Sequence, residues 1–254
     1  MALKRNAMSK VIIKNESDSE TYDLDITAAY LDISLILLEA NIRREYYDLI
    51  NNDKLMRILP TEKVHHYNIA KGNQIYFLPN CCSFSTIPEW LTIFLITESQ
   101  HLGDFSNRFV YKHHNLTHLQ AFKNGVPHYG NALQKEMSYG DESKGQKPET
   151  SKYVQYWYSK MLSCYGSSPR CVSLQRFCSE FFIFCLDFAS TTPRHMFPKD
   201  ENPLHLVTSG SIDLNLQFSS NLETNLVLYV ISHENTLVKV GPTGEVEGGV
   251  PSLQ

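Results

Sequence analysis

The sequence predicts an all-β fold, two antiparallel sheets packed face to face, with one or two short helices in the connections. Three observations predict it. Roughly eight short apolar or alternating segments follow one another, divided by Gly, Pro and Asn turn signals. Aromatics make up 11% of the chain, with 14 Tyr and 13 Phe, and these residues favour strands over helices. Ile212, Leu214, Leu216 and Phe218 alternate with Ser211, Asp213, Asn215 and Gln217. That period of two places one face in a core and the other in water.

Residues 1–20 are polar and weakly patterned, and are expected to form a flexible arm; 21–247 carry the domain and 248–254 a tail. Residues 31–38 (LDISLILL) predict a strand. From 39 to 55, Ile42, Tyr46, Leu49 and Ile50 have the spacing of a short amphipathic helix, which Asn51-Asn52-Asp53 would stop. Strand-like pieces at 63–69 and 74–78 flank Lys71-Gly72-Asn73, a turn in which Gly supplies a positive φ. Residues 90–97 (WLTIFLIT) predict a buried strand, with Pro88 suited to its entrance. Residues 117–123 predict another, closed by the hairpin signal Asn124-Gly125.

The Gly-, Ser-, Lys- and Pro-rich stretch 138–150 is expected to be an exposed loop. Residues 151–165 predict the second helix, with Val154, Trp157, Tyr158 and Met161 on one face. Residues 180–188 (EFFIFCLDF) are apolar on both faces, the pattern of a central strand buried on both sides. Pro193, Pro198 and Pro203 mark a surface loop at 190–203, and strands at 224–231 and 237–240 end the pattern. The expected core contains Trp90, Ile93, Phe184, Leu186, Leu214, Leu216, Leu228 and Val230.

Composition narrows the function. Hydrophobic residues are 42% of the chain, enough for a sizeable core. A net charge of −4 and a pI near 6.2 provide no electrostatic footprint for nucleic acid. No stretch approaches the roughly 18 apolar residues of a membrane span. The first 14 residues lack the apolar core and cleavage site of a signal peptide, so the chain is expected to be intracellular, not secreted. The six cysteines are then expected as thiols.

No catalytic, cofactor-binding or metal-binding residue is predicted. His65-His66 and His113-His114 are adjacent pairs, and neighbouring strand side chains point to opposite faces. No H-x-H of a cupin-type metal site and no C-x-x-C of a zinc site occurs. Cys164, Cys171, Cys178 and Cys185 recur every seven residues, but Gly166 and Pro169 interrupt any continuous helix, so the spacing is taken as coincidence. Cys81-Cys82 is expected to be buried filler. Asp23 and Asp25, near Asp32, fit a solvated strand lead-in better than a catalytic pair. G-x-S-x-G, Walker and G-x-G-x-x-G motifs are all missing.

Periodicity alone leaves a jelly roll level with other sandwiches. The order of several stretches is more specific. Tyr30-Leu31-Asp32-Ile33 precedes a helix-like segment and then Ile58-Leu59-Pro60-Thr61-Glu62-Lys63-Val64. Ile87-Pro88-Glu89-Trp90-Leu91-Thr92-Ile93 follows, then His113-His114-Asn115-Leu116-Thr117 and Lys123-Asn124-Gly125-Val126-Pro127. Phe182-Ile183-Phe184-Cys185-Leu186-Asp187-Phe188 precedes the S-G-x-hydrophobic-x-L-x-L-x-F run from Ser209 to Phe218. Over about residues 25–247 this order resembles the C-terminal jelly roll of the double jelly-roll major capsid proteins of Polinton and adintovirus-like viruses. One departure is Asn107-Arg108-Phe109, where the family has Asn-Pro-Phe.

The resemblance implies a jelly-roll sandwich that works as a viral structural protein, a capsid building block and not an enzyme. Its partners would be copies of itself in a trimeric capsomer, or other capsid subunits, and its place the virion once assembled. The family's first barrel has no counterpart in this sequence, which fits a truncated, host-integrated copy or a partial gene product. The alternative function is a lectin-like or adaptor β-sandwich that binds a ligand without catalysis.

Overall fold

The alternating run that starts at Ile212 is a strand, and its four apolar side chains are buried. A computed structural model of the protein describes residues 39–51, 56–81, 87–103, 109–129, 151–165, 172–188, 209–240 and 246–248. In chain order, α1 (Ala40–Asn51) is followed by β1 (Met56–Ile69), β2 (Ile75–Leu78) and β3 (Trp90–Thr97), which runs directly into α2 (Glu98–Leu102). The hairpin of β4 (Leu116–Lys123) and β5 (Val126–Tyr129) comes next, then α3 (Lys152–Tyr165), α4 (Leu174–Ser179) and β6 (Phe184–Asp187). β7 (Ile212–Phe218), β8 (Leu226–Val240) and β9 (Val246–Gly248) complete the described elements.

Strand order identifies the architecture. One sheet runs β1-β8-β3-β6, with β9 paired to β8, and the other runs β2-β7-β4-β5. The first strand thus neighbours the eighth, the second the seventh, the third the sixth and the fourth the fifth. This is the connectivity of a long antiparallel hairpin rolled up on itself, an eight-stranded jelly roll. Ladders with a defined register are all antiparallel.

Register decides which side chains meet. In the first sheet Ile93 lies opposite Phe184 on one side and Val230 on the other, while Leu91 faces Leu186 and Leu95 faces Leu228. In the second sheet Leu214 lies between Leu78 and Ala121, and Leu216 between Tyr76 and Leu119. These inner faces belong to one buried cluster, so the two sheets close over a shared core. Burial stabilises it by roughly 25 cal/mol per Å² of apolar surface.

The turns follow their residues. Asn124 (φ 54°) and Gly125 (φ 76°) are both left-handed, as the two-residue turn that matches strand twist requires. Gly72 adopts the expected positive φ of 87°. Both remaining short helices begin at a capping side chain. Thr97 Oγ1 accepts from the Gln100 N–H while the Gln100 side chain accepts from the Thr97 N–H, a reciprocal capping box for α2. Ser173 accepts from the Arg176 N–H at the start of α4.

Several expectations are corrected. The strand expected over 180–188 is only Phe184–Asp187, and it ends the described sheet rather than lying at its centre. Phe184, Cys185 and Leu186 are nevertheless buried, because α3 packs along the strand and Trp157 meets Phe184 edge-on at 5.1 Å. The two strands expected at 224–231 and 237–240 are one, β8: Ser232 and His233, polar residues that look like a break, are buried and paired. Trp90 is half-buried and lies on the opposite face from Leu91 and Ile93; the other seven expected core residues are buried. α2 and α4 were not expected as helices.

The described residues divide into two compact units, one within Glu62–Glu234 and the other made of 39–51 and 56–61 with 235–240 and 246–248. The core described above belongs to the first. In the second, β9 pairs with β8 from Val238↔Gly248 to Val240↔Val246. The expected arm, the strand at 31–38 and the loops at 138–150 and 190–203 lie outside the described residues, as does the tail beyond Gly248.

Candidate functional site

Because Leu91, Ile93 and Leu95 turn inward, Trp90, Thr92 and Phe94 stand on the other face of β3. Their cross-strand partners share that face: His233 opposite Trp90, Cys185 and Ile231 on either side of Thr92, and Tyr229 opposite Phe94. Two groupings result, one polar and one aromatic.

The polar grouping centres on His233. Its Nδ1 is 3.2 Å from Glu62 Oε1 of β1, and its Nε2 is 3.0 Å from Thr92 Oγ1. Thr92 Oγ1 is in turn 2.6 Å from the Tyr165 hydroxyl at the end of α3. The imidazole stacks on Trp90 at 4.2 Å and 10°, and the Tyr165 ring stands edge-on to it at 5.8 Å. Burial pushes the Tyr165 phenol above its ordinary range, so it remains protonated at any physiological pH. One residue on, Lys63 Nζ and Glu234 Oε2 form an ion pair at 2.7 Å, and Ser232 Oγ donates to Glu234 Oε1 at 3.1 Å.

Carboxylate, imidazole and hydroxyl in series have the order of a catalytic triad, but the surroundings do not serve nucleophilic attack. Thr92 is 3% exposed, and its hydroxyl is engaged with both Tyr165 and His233. The backbone around it is paired to β6 on one side and β8 on the other, leaving no amides to hold an oxyanion. The network fastens β1, β3, β8 and α3 together. Sequence reasoning missed it because Glu62 and His233 are far apart in the chain.

The aromatic grouping continues along the same face. Phe94 stacks on Tyr229 at 5.0 Å and 6°, and Tyr111 approaches Phe94 at 4.3 Å. His101 Nδ1 lies 2.7 Å from the Tyr229 hydroxyl, and the His66 ring is 5.1 Å from that of His101. His66 therefore meets a histidine of α2 rather than its neighbour His65.

The second histidine pair lies in a turn, not a strand: His114 (φ 47°) and Asn115 (φ 54°) are left-handed. The Asn115 N–H donates to His113 Nδ1 at 2.9 Å. Burial, then neighbouring positive charge, lowers both imidazoles to about 4. Among the described residues no three His, Cys, Asp or Glu side chains converge as a metal site would need. Cys81 is fully buried, and Cys82 and Cys171 lie outside the described residues, as do Asp23, Asp25 and Asp32.

The outward face of the second sheet offers a different kind of site. Ile75 and Phe77 of β2 are 60% and 55% exposed, and Phe122 of β4 meets Phe77 edge-on at 6.5 Å. Val126 at the hairpin tip is also exposed. Beside them stand Gln217 opposite Ile75 and Asn215 opposite Phe77. An apolar strip with a polar neighbour row suits contact with another macromolecule better than chemistry.

No protein-family model matches the chain, and neither does any curated protein. Among solved structures it is similar to the 3.5 Å resolution cryo-EM structure of the Sputnik virophage, at 10% identity over 78% of this chain and 40% of that one, with a TM-score of 0.44. It is also similar to the mavirus major capsid protein, at 12% identity over 77% of this chain and 41% of that one, with a TM-score of 0.37. The chain spans about two fifths of the length of each. What defines it as a jelly roll is its own strand order. No helix among the described residues is long and apolar enough to cross a membrane.

Proposed function

We propose that this protein is a viral structural protein, a capsid building block that acts through contacts between subunits and carries out no catalysis. The observation that carries the reading is the jelly-roll pairing of first strand with eighth through fourth with fifth, an architecture used by capsid proteins, lectins and cupins. The ordered stretches from residue 25 to 247 that resemble double jelly-roll capsid proteins favour the first of these. A cupin-like oxygenase would need converging metal ligands, and the most concentrated polar cluster instead fastens strands together. The rigid core then holds Ile75 and Phe77 in fixed positions for a neighbouring subunit, another copy in a trimeric capsomer or a second capsid protein. Its place is the virion once assembled, and the cell interior before that.

Sedimentation velocity and electron microscopy of the purified chain over a range of concentrations test the proposal. The expected result is a homotrimer or larger regular assemblies, which Ile75→Ser with Phe77→Ser shifts toward monomer without changing the circular dichroism spectrum. A stable two-fold dimer overturns the reading, and so does a permanently monomeric chain that binds specific glycans on an array.

A further inference from the structure

Four cysteines spaced seven apart, Cys164, Cys171, Cys178 and Cys185, look like a helical stripe that the chain cannot build. The fold nonetheless brings the first and last of them together. Val154, Trp157, Met161 and Cys164 form the buried stripe of α3. Trp157 of that stripe rests on Phe184 of β6, the residue before Cys185. Cys185 lies opposite Thr92 in the β3–β6 ladder, and Thr92 is held at 2.6 Å by Tyr165, the residue after Cys164. Helix α3 is thus held to β6 through Trp157 and to β3, the ladder partner of β6, through Tyr165. The Cys164 side chain is near enough to raise the Cys185 thiol, ahead of the effect of burial, while the Thr92 hydroxyl lowers it. Cys164 is 6% exposed and Cys185 fully buried, and both are free thiols in this structure.

We propose that Cys164 and Cys185 are a latent disulfide site, which closes when the chain meets a low-molecular-weight disulfide such as oxidised glutathione and locks the end of α3 onto β6. In the first step a thiolate of the pair attacks one sulfur of the oxidant. The oxidant's S–S bond breaks, one glutathione leaves as thiolate and takes up a proton, and a mixed disulfide remains on the protein. The second cysteine, deprotonated in turn, attacks the protein sulfur of that mixed disulfide and expels the second glutathione. Two protein thiols are oxidised, one external disulfide is reduced to two thiols, and the two protons pass to the leaving groups.

Two features set the timing. The hydrogen bond to Cys164, with burial, raises the Cys185 thiol above the usual range, so little thiolate exists in the closed structure. Access requires the end of α3 to lift from β6, because neither sulfur meets solvent freely. The pair therefore stays reduced through brief exposure to oxidant and closes on prolonged exposure or during folding. This inference is independent of the capsid reading.

The full chain is refolded and equilibrated in a glutathione redox buffer, trapped by acid and alkylation, and mapped by peptide mass spectrometry. The expected product is a cross-linked pair of peptides containing Cys164 and Cys185, about 2 Da lighter than the two reduced peptides together. Its urea midpoint exceeds that of the reduced chain, and Cys164→Ser and Cys185→Ser each abolish both the cross-link and the shift. Recovery of both cysteines as free or glutathione-capped thiols, in protein with a native circular dichroism spectrum, overturns the proposal. Pairing of either one with Cys171 or Cys178 overturns it equally.

Discussion

The His233 imidazole lies flat against the Trp90 indole, 4.2 Å between centroids and 10° from parallel, while its two nitrogens reach Glu62 and Thr92. One side chain thus joins an apolar stack to a polar chain across three strands. It is 5% exposed, so the groups it satisfies have little water to fall back on.

Replacing this residue is expected to be costly. His233→Ala leaves the Thr92 and Tyr165 hydroxyls short of a partner and opens a space against Trp90. The expected loss is about 2–4 kcal/mol, measured by urea denaturation. Glu62→Gln is expected to cost less than about 1 kcal/mol, because that carboxylate is 65% exposed and water screens it. Equal losses from the two variants would refute this division of roles.

Acid is expected to weaken the fold through the His113-His114 turn. Both imidazoles titrate near 4 in the folded chain and near the ordinary 6.5 when unfolded. Above 6.5 both states are neutral at these sites and nothing is lost. Between 6.5 and 4 the unfolded chain binds protons that the folded chain refuses, so stability falls as the pH falls; below 4 the effect levels off. The loss is on the order of 1–3 kcal/mol per imidazole. Protonation at His113 Nδ1 also removes the acceptor for the Asn115 N–H. Denaturation midpoints between pH 7 and 4 should show this slope, and His113→Asn should flatten it.

Gly210 is a position of close approach. A Cβ there would run into the Asn124 side chain and come within 2.8 Å of Ile87 Cδ1. The Asn124 carbonyl oxygen is not free to move aside, since it accepts from the Ser211 N–H at 2.9 Å. Gly210→Ala is expected to lower stability by about 1–3 kcal/mol, and less in an Asn124→Ala background. Additive thermal shifts in the double variant would show that the two residues do not compete for this space.

Phe184 is fully buried between Ile93 of its own sheet and Trp157 of α3. Phe184→Ala is expected to cost about 3–5 kcal/mol by leaving a cavity that neither element collapses to fill. Hydrogen–deuterium exchange should also show loosening of α3, visible as faster amide exchange from Val154 to Cys164. Exchange in α3 unchanged from the native chain would contradict its dependence on β6.

The sequence by itself determined where strands form and which face of each is apolar. β3 was legible to the residue, β7 from its alternation, and the β4–β5 hairpin from Asn124-Gly125, because these signals are local: side-chain period, left-handed turn residues and breaks. The capping box from Thr97 to Gln100 is a local signal of the same kind, and it marks the start of α2. Tertiary structure decided the rest. Which strand lies beside which depends on contacts between segments distant in the chain, as with Lys63 and Glu234, 171 residues apart. That is why Ser232-His233 resembles a strand break in sequence and is the middle of β8 in the fold: Glu62 of β1 and Thr92 of β3 satisfy the His233 ring, and Glu234 accepts from the Ser232 hydroxyl. Trp90 packs against the core rather than within it for the same reason, because a histidine from another strand offers its ring a flat surface.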